Sequence, residues 1–165
     1  MWGATGRVPA LWGHDDDAGA LLLERVRPGG RLASGAGAGP LIAALHVVPP
    51  PGVPPLAERV ASAFDVFESR NGPVAAERAL ALELASSWQG PDVLLHGDLH
   101  PGNVLDGGPS RGPVAIDPRP CTGDPAFDAI DWVDGERAVG ALAREAGVDP
   151  VRLAGWRDAF APWRR

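Results

Sequence analysis

The chain contains no lysine, and all 15 of its basic residues are arginine. Any chemistry that depends on an ammonium group therefore has to draw it from elsewhere. Cysteine is almost absent too. The single Cys121 has no partner within the chain, so no internal disulfide frames the fold. Uninterrupted apolar runs stay well short of the roughly 20 residues that cross a bilayer. Residues Met1 to Arg7 hold no apolar core of the kind used by secretion signals, so a cytoplasmic location is the expectation. Basic charge is in deficit, with 21 acidic residues and a net charge of −6. That balance argues against nucleic acid as a main partner and suits a small-molecule partner that is cationic. What is present, 165 residues with 45 % apolar and 22 % charged, fits one domain with a real core.

Periodicity and breakers divide the chain. Residues 8–14 and 20–26 read as two short strands around a turn rich in Asp and Gly, and so as a hairpin. Residues 27–40, opening Arg27-Pro28-Gly29-Gly30, read as a hinge or linker. Leu41 to Val48 is apolar enough for a short helix, and the prolines from Pro49 to Pro55 make a stiff surface connection. From Leu56 to Trp88 apolar residues recur at spacings of three and four, with Asn71-Gly72-Pro73 splitting the stretch into two helices. Val93-Leu94-Leu95-His96 and Val114-Ala115-Ile116 read as buried strands with a turn at 107–112 between them. Helices are expected at about 125–135, 137–146 and 150–160, the last started by Asp149 as cap and Pro150 as first residue.

The chemistry lies between His96 and Asp117. Asp98 follows a strand in a tight loop, Asn103 comes five residues later, and Asp117 ends the next strand. Phosphoryl transfer from a nucleotide needs such a set. One carboxylate orients the attacking hydroxyl and takes its proton, and an amide oxygen with a second carboxylate holds magnesium against the phosphates. The offset from Asp98 to Asn103 is the offset of the kinase catalytic loop, and Asp117 stands where a kinase's metal-binding Asp follows the next strand.

The run His96-Gly97-Asp98-Leu99-His100-Pro101-Gly102-Asn103 resembles the catalytic loop of the aminoglycoside phosphotransferase family, which shares the protein-kinase-like fold. Residues Ala115 to Asp128 look like the branch containing streptomycin 6-phosphotransferases and hydroxyurea phosphotransferases, and Ala20 to Val26 is similar to that branch's hinge strand. The resemblance implies an α+β fold: a mostly helical C-lobe over residues 41–165, a linker over 27–40, and a remnant of the N-lobe hairpin over 1–26. It implies an ATP-dependent phosphotransferase, an antibiotic-resistance type of small-molecule kinase that uses Mg2+ and a hydroxyl acceptor. Asp98 would be the catalytic base, with Asn103 and Asp117 as magnesium ligands. His96, His100 and Asp128 would brace the loop. Glu24, Arg25 and Val26 would offer backbone groups to the adenine edge, and Asp124 and Asp131 would meet a cationic acceptor.

Plainer readings stand beside these. The Asp98 loop could be only an Asx-type turn, and His96 with His100 could ligate a metal, although neither a second Cys nor a third His lies near. Asp124, Asp128 and Asp131 could be acids at a solvated helix N-terminus. Cys121 reads as a packed small residue, and Trp132, Trp156 and Trp163 as core. The family's front lobe carries a phosphate-covering loop and a lysine, and neither is found here. The chain is accordingly expected to be N-terminally truncated and inactive on its own, with a catalytically inactive pseudokinase fragment as the alternative function. A metal-dependent hydrolase is a weaker third reading.

Overall fold

Leu56, Val60 and Phe64 fall four residues apart, which puts them on one face of a helix and buries all three. The computed structural model describes residues 1–32, 35–133 and 139–164, and in it this helix, α2, spans Leu56–Asn71. Gly72, at a φ of 88°, ends it and donates its N–H to the Glu68 carbonyl. Its packing neighbour α3, Ala75–Ser86, follows the break, as the Asn-Gly-Pro signal requires. Upstream, α1 covers Ala38–Leu45, so it begins inside the expected linker and ends before Val48. Downstream come α4, Val139–Ala146, and α5, Pro150–Ala159. Asp149 caps α5 by accepting the Val151 amide at 2.7 Å. The helix expected over 125–135 is a 3-10 stretch, Pro125–Trp132. The parts of these expectations that fall on 33–34 and 134–138 lie outside the described residues. No helix among the described residues is long and apolar enough to cross a membrane.

The strands form three separate antiparallel pairs. β1, Leu11–Asp15, and β2, Ala20–Leu23, make the expected hairpin, with Asp15 opposite Ala20. The other two pairs correct the expected layout. β3, Val93–Leu95, pairs with β6, Cys121–Gly123, whereas β5, Pro113–Ala115, pairs with β4, Val104–Asp106. The turn at 107–112 therefore joins β4 to β5. Neither β4 nor β6 has a long apolar run, which is why each escapes a pattern search, and three residues suffice because flanking bridges extend the pairing. Leu94 N–H donates to Val47 at 2.8 Å and Thr122 N–H to Pro54 at 2.9 Å.

The core runs through α1, α2, α5 and the Pro125–Trp132 stretch, with Leu41, Ile42, Phe64, Leu153 and Trp156 fully buried. Aromatic edges hold its centre: Phe127 meets Trp156 at 5.1 Å between ring centroids and Phe160 at 5.5 Å. Asp124 sits inside this packing. It is 1 % exposed and caps the 3-10 stretch through the Ala126 amide. It also accepts from the Trp156 indole at 2.7 Å and pairs with Arg152 of α5. A buried carboxylate with three donors is satisfied within the packing. Trp132 and Trp156 are buried as expected, but Trp163 is 38 % exposed, stacked on Phe67 of α2 at 4.2 Å.

The hairpin is held to the rest by a residue that the sequence presents as part of a turn. Arg111 donates to Gly6, Val8 and Glu24 at once, the last at 2.6 Å. The hairpin's own apolar side chains stay open, with Trp12, Leu21 and Leu22 all at least 60 % exposed.

Replacing Asp124 with Ala strands a guanidinium and an indole N–H against the core. Urea unfolding of Asp124→Ala is expected to show a loss of about 3–5 kcal/mol, the usual consequence of breaking a buried pair.

Candidate active site

Asp128 organises the loop that precedes Asp98. It is 2 % exposed, and its carboxylate accepts two consecutive backbone amides, His96 at 2.8 Å and Gly97 at 2.9 Å. His46, just past α1, brings its imidazole to 3.4 Å. Burial pushes the Asp128 carboxyl up, but His46, His96 and the Gly97 amide together outweigh it and hold the pKa below the ordinary value of 3.8. The bracing role expected of Asp128 thus has a geometry, while a solvated helix N-terminus does not describe it.

His96 is fully buried beside Trp2, with Nε2 at 3.0 Å from the Ile116 carbonyl. This contact fixes the tautomer with the proton on Nε2 and leaves Nδ1 without a hydrogen-bond partner. Desolvation lowers the His96 pKa, against the opposing pull of Asp128, the Ile116 carbonyl, Asp98 and Asp117. His96 is therefore a neutral spacer between the two segments that lead to Asp98 and Asp117. His100 caps the next turn, accepting the Gly102 amide on Nδ1 at 3.0 Å. A Cβ at Gly102 would stand 2.7 Å from that imidazole, so a side chain there would displace the His100 ring from its cap. Among the described residues no three His, Cys, Asp or Glu side chains cluster as a metal site, and neither His96 nor His100 is arranged to ligate one.

Three segments interlace here. Asn103 donates its side-chain amide to the Asp98 carbonyl at 2.9 Å, and Ile116 N–H donates to the Asn103 carbonyl at 2.9 Å. Arg119 N–H donates to the His96 carbonyl at 2.8 Å. Asp98, Asn103 and Asp117 are thus drawn together by backbone ties. Asp117 has a φ of 55°, an uncommon conformation for a non-glycine residue and one that concentrates at functional sites. The two acids nevertheless open onto different clefts. Asp98 faces one of about 350 Å3 along α2, and Asp117 faces one of about 740 Å3 under the hairpin.

The hairpin-side cleft is where Glu24, Arg25 and Val26 lie, opposite Leu105, Ile116 and Asp117. Part of the expected backbone edge is already used. Glu24 N–H donates to Ala10 at 2.8 Å, and its carboxylate is taken by the Ala10 amide and Arg111. On the other side, Asp98 stands between two guanidinium groups that the sequence does not single out. Arg59 of α2 lies 3.4 Å from one carboxylate oxygen and donates to the Gly97 carbonyl at 2.9 Å. Arg119 lies 3.3 Å from the other oxygen. Asp131 is exposed and lines a smaller cleft that shares Arg59 and Asp98. Cys121 is buried and its thiol is pushed up to about 12 by desolvation, which makes it an inert packing residue.

A carboxylate and a carboxamide suit magnesium, a hard cation that prefers oxygen donors. Because Asn103 spends its N–H on Asp98, its oxygen is left as an acceptor. The donor set therefore fits the ion, with nucleotide phosphates and water needed to complete the shell.

The fold is α+β, the helical lobe of a kinase-like phosphotransferase with a hairpin at its front. A solved aminoglycoside phosphotransferase from Streptomyces rimosus, in complex with ADP and streptomycin, superposes at a TM-score of 0.63 with 19 % identity, over 96 % of this chain and 77 % of that one. The chain belongs to the aminoglycoside/hydroxyurea antibiotic resistance kinase family, whose model matches residues 1–163. It is 35 % identical to a streptomycin 6-kinase of Streptomyces griseus, over 94 % of this chain and 60 % of that protein. It is also 35 % identical to a hydroxyurea phosphotransferase of Kitasatospora aureofaciens, over 94 % and 52 % respectively. The chain thus spans between about half and two thirds of the length of these relatives.

The buried pair makes stability depend on pH in a defined direction. Below about 6.5 the unfolded chain protonates His96 while the folded site resists, so this contribution is complete above that pH and shrinks as pH falls. Asp128 adds a second loss below its ordinary 3.8, as acid reaches the folded carboxylate. Urea midpoints should therefore drop between pH 7 and pH 5, and His96→Gln should flatten that drop.

Proposed function

We propose that this chain carries the catalytic and metal-binding loops of an ATP-dependent phosphotransferase acting on a hydroxyl of a small molecule. The observation that carries the reading is the interlacing of Asp98, Asn103 and Asp117 through Asn103 to Asp98 and Ile116 to Asn103, at 2.9 Å each. Such ties join the base to the metal ligands in one rigid unit, as a reaction governed by positioning demands.

The roles follow from the surroundings. Asp98, partly exposed at the cleft along α2, orients the acceptor hydroxyl and takes its proton as the oxygen attacks phosphorus. Asn103 and Asp117 are the proposed ligands of Mg2+. When bound with the nucleotide, magnesium neutralises charge on the phosphate oxygens. The cleft under the hairpin, with its apolar floor of Leu105 and Ile116, is the proposed nucleotide side. Arg25 and Val26, together with the Glu24 carbonyl, supply the backbone edge there. Arg59 and Arg119 hold the Asp98 carboxylate and place two positive charges near the developing one. His96, His100 and Asp128 position the loop. The names of the relatives supply streptomycin and hydroxyurea as first acceptors to assay.

Two substitutions separate the roles. Asp98→Asn is expected to lower turnover by about 10²–10⁴-fold with ADP–magnesium affinity unchanged. Asp117→Asn is expected to weaken ADP–magnesium binding as well. Calorimetric titration with ADP and magnesium measures the affinities, and labelled-phosphate transfer measures the turnover. Unchanged binding and rate in both variants would remove the assignment.

A further inference from the structure

The cleft under the hairpin has a firmly tied floor and a loosely packed roof. The floor is Leu105 of β4 with Ile116 and Asp117 after β5. Main-chain bonds strap these strands to the chain on either side of the hairpin. Just before it, the Arg7 carbonyl accepts Ala115 N–H at 2.7 Å. Just beyond it, Gly29 N–H donates to the Asp106 carbonyl and Asp106 N–H to the Gly30 carbonyl, each at 2.9 Å. The hairpin therefore stands on two pinned feet. Its roof side chains are less well held. Leu21 is 66 % exposed and Leu23 42 %, so packing alone does not fix the height of the roof.

Arg111 supplies the missing brace from outside the cleft. It stands in the turn between β4 and β5. Its guanidinium donates to the Gly6 and Val8 carbonyls at 2.9 Å each and to the Glu24 carboxylate at 2.6 Å. Glu24 is the knot of the hairpin. Its N–H donates to the Ala10 carbonyl at 2.8 Å, and its second carboxylate oxygen accepts the Ala10 amide at 3.0 Å. It thus joins the entry of β1 to the exit of β2. Among the described residues, every hydrogen bond or ion pair from the rest of the protein to residues 8–26 comes from Arg111. A planar fork on three acceptors holds an angle that a single point charge leaves free.

We propose that Arg111 is a positioning residue for the nucleotide. By clamping Glu24 it sets the height of the Leu21 and Leu23 roof above Leu105 and Ile116, and with it the affinity of the slot for a planar base. The proposal rests on the reading of this cleft as the nucleotide side. Dispersion makes the slot sensitive to height, because a radial gap of about 0.5–1 Å forfeits a quarter to a half of the contact energy on that face. A base gripped from above and below loses affinity when the clamp opens, although Arg111 itself does not line the cleft.

The test measures ADP–magnesium affinity by calorimetry on the full chain, and segment-resolved deuterium exchange by mass spectrometry on the same samples. Arg111→Ala is expected to weaken ADP–magnesium about tenfold and to speed exchange in residues 10–24, with exchange in α5 unchanged. Glu24→Ala opens the same clamp from the other side and is expected to give the same two changes. In the double variant the two losses should not add, since either one alone already frees the roof. Wild-type ADP affinity in Arg111→Ala overturns the proposal. Additive losses overturn it too, because Arg111 then acts by a route other than Glu24. If Arg111→Ala also speeds exchange in α5, the whole fold is loosened and Glu24→Ala decides, with wild-type affinity there as the overturning result. Asp117→Asn reports separately on the reading beneath. Asp117-dependent ADP binding that ignores Arg111→Ala sinks the clamp alone, while a wild-type chain without ADP–magnesium binding removes the nucleotide reading and the clamp with it.

Discussion

A carboxylate buried against two backbone amides holds this site in place. Asp128 is almost wholly withdrawn from water, and its charge survives there only because His96 N–H, Gly97 N–H and the His46 ring surround it. Those amides belong to the two residues before Asp98, so the direction in which Asp98 leaves the strand is set by a side chain some thirty residues further along. Gly97 meets the same demand from the other side. Its φ is 76°, and a Cβ there would lie 2.0 Å from the Arg119 carbonyl. The loop can pass this close to the Arg119 segment only because that position has no side chain.

From that anchor the ties spread outward. The His96 ring reaches the Ile116 carbonyl, Ile116 N–H reaches Asn103, and Asn103 reaches back to Asp98. Trp132 adds a hydrogen bond from its indole to the Leu99 carbonyl at 2.6 Å. These links tie the loop after β3 to the segment after β5 and to the Pro125–Trp132 stretch, so Asp98, Asn103 and Asp117 stand on a framework with few soft degrees of freedom.

Arginine alone supplies the cationic ties. Arg111 spans three acceptors and fastens the hairpin, Arg152 joins α5 to Asp124 and to the Leu84 carbonyl at the end of α3, and Arg78 collects two acids of α2. A planar group with five N–H donors can bridge elements in this way, and a lysine in the same places could satisfy only part of each set. The composition that removes lysine from the chain thus coincides with a fold stitched by multidentate contacts.

The sequence by itself determined the element types and the family. Apolar spacing fixed α2, α3 and α5, the Asn71-Gly72-Pro73 break separated the first two, and Asp149 before Pro150 started the last. It also brought Asp98, Asn103 and Asp117 into view, because their chemistry depends on spacing along one short stretch. Other features were not legible. β4 and β6 are three residues long, and short strands acquire their identity from the partner they meet. Asp124 and Asp128 read alike as helix-start acids, yet one pairs with Arg152 in the core and the other braces the Asp98 loop. Arg59, His46 and Arg111 carry no local signal, since each acts on residues between 38 and 105 positions away. Tertiary structure alone decided which acids are buried and which arginines face a cleft, because burial and pairing are properties of surfaces brought together by folding and not of neighbours in the chain.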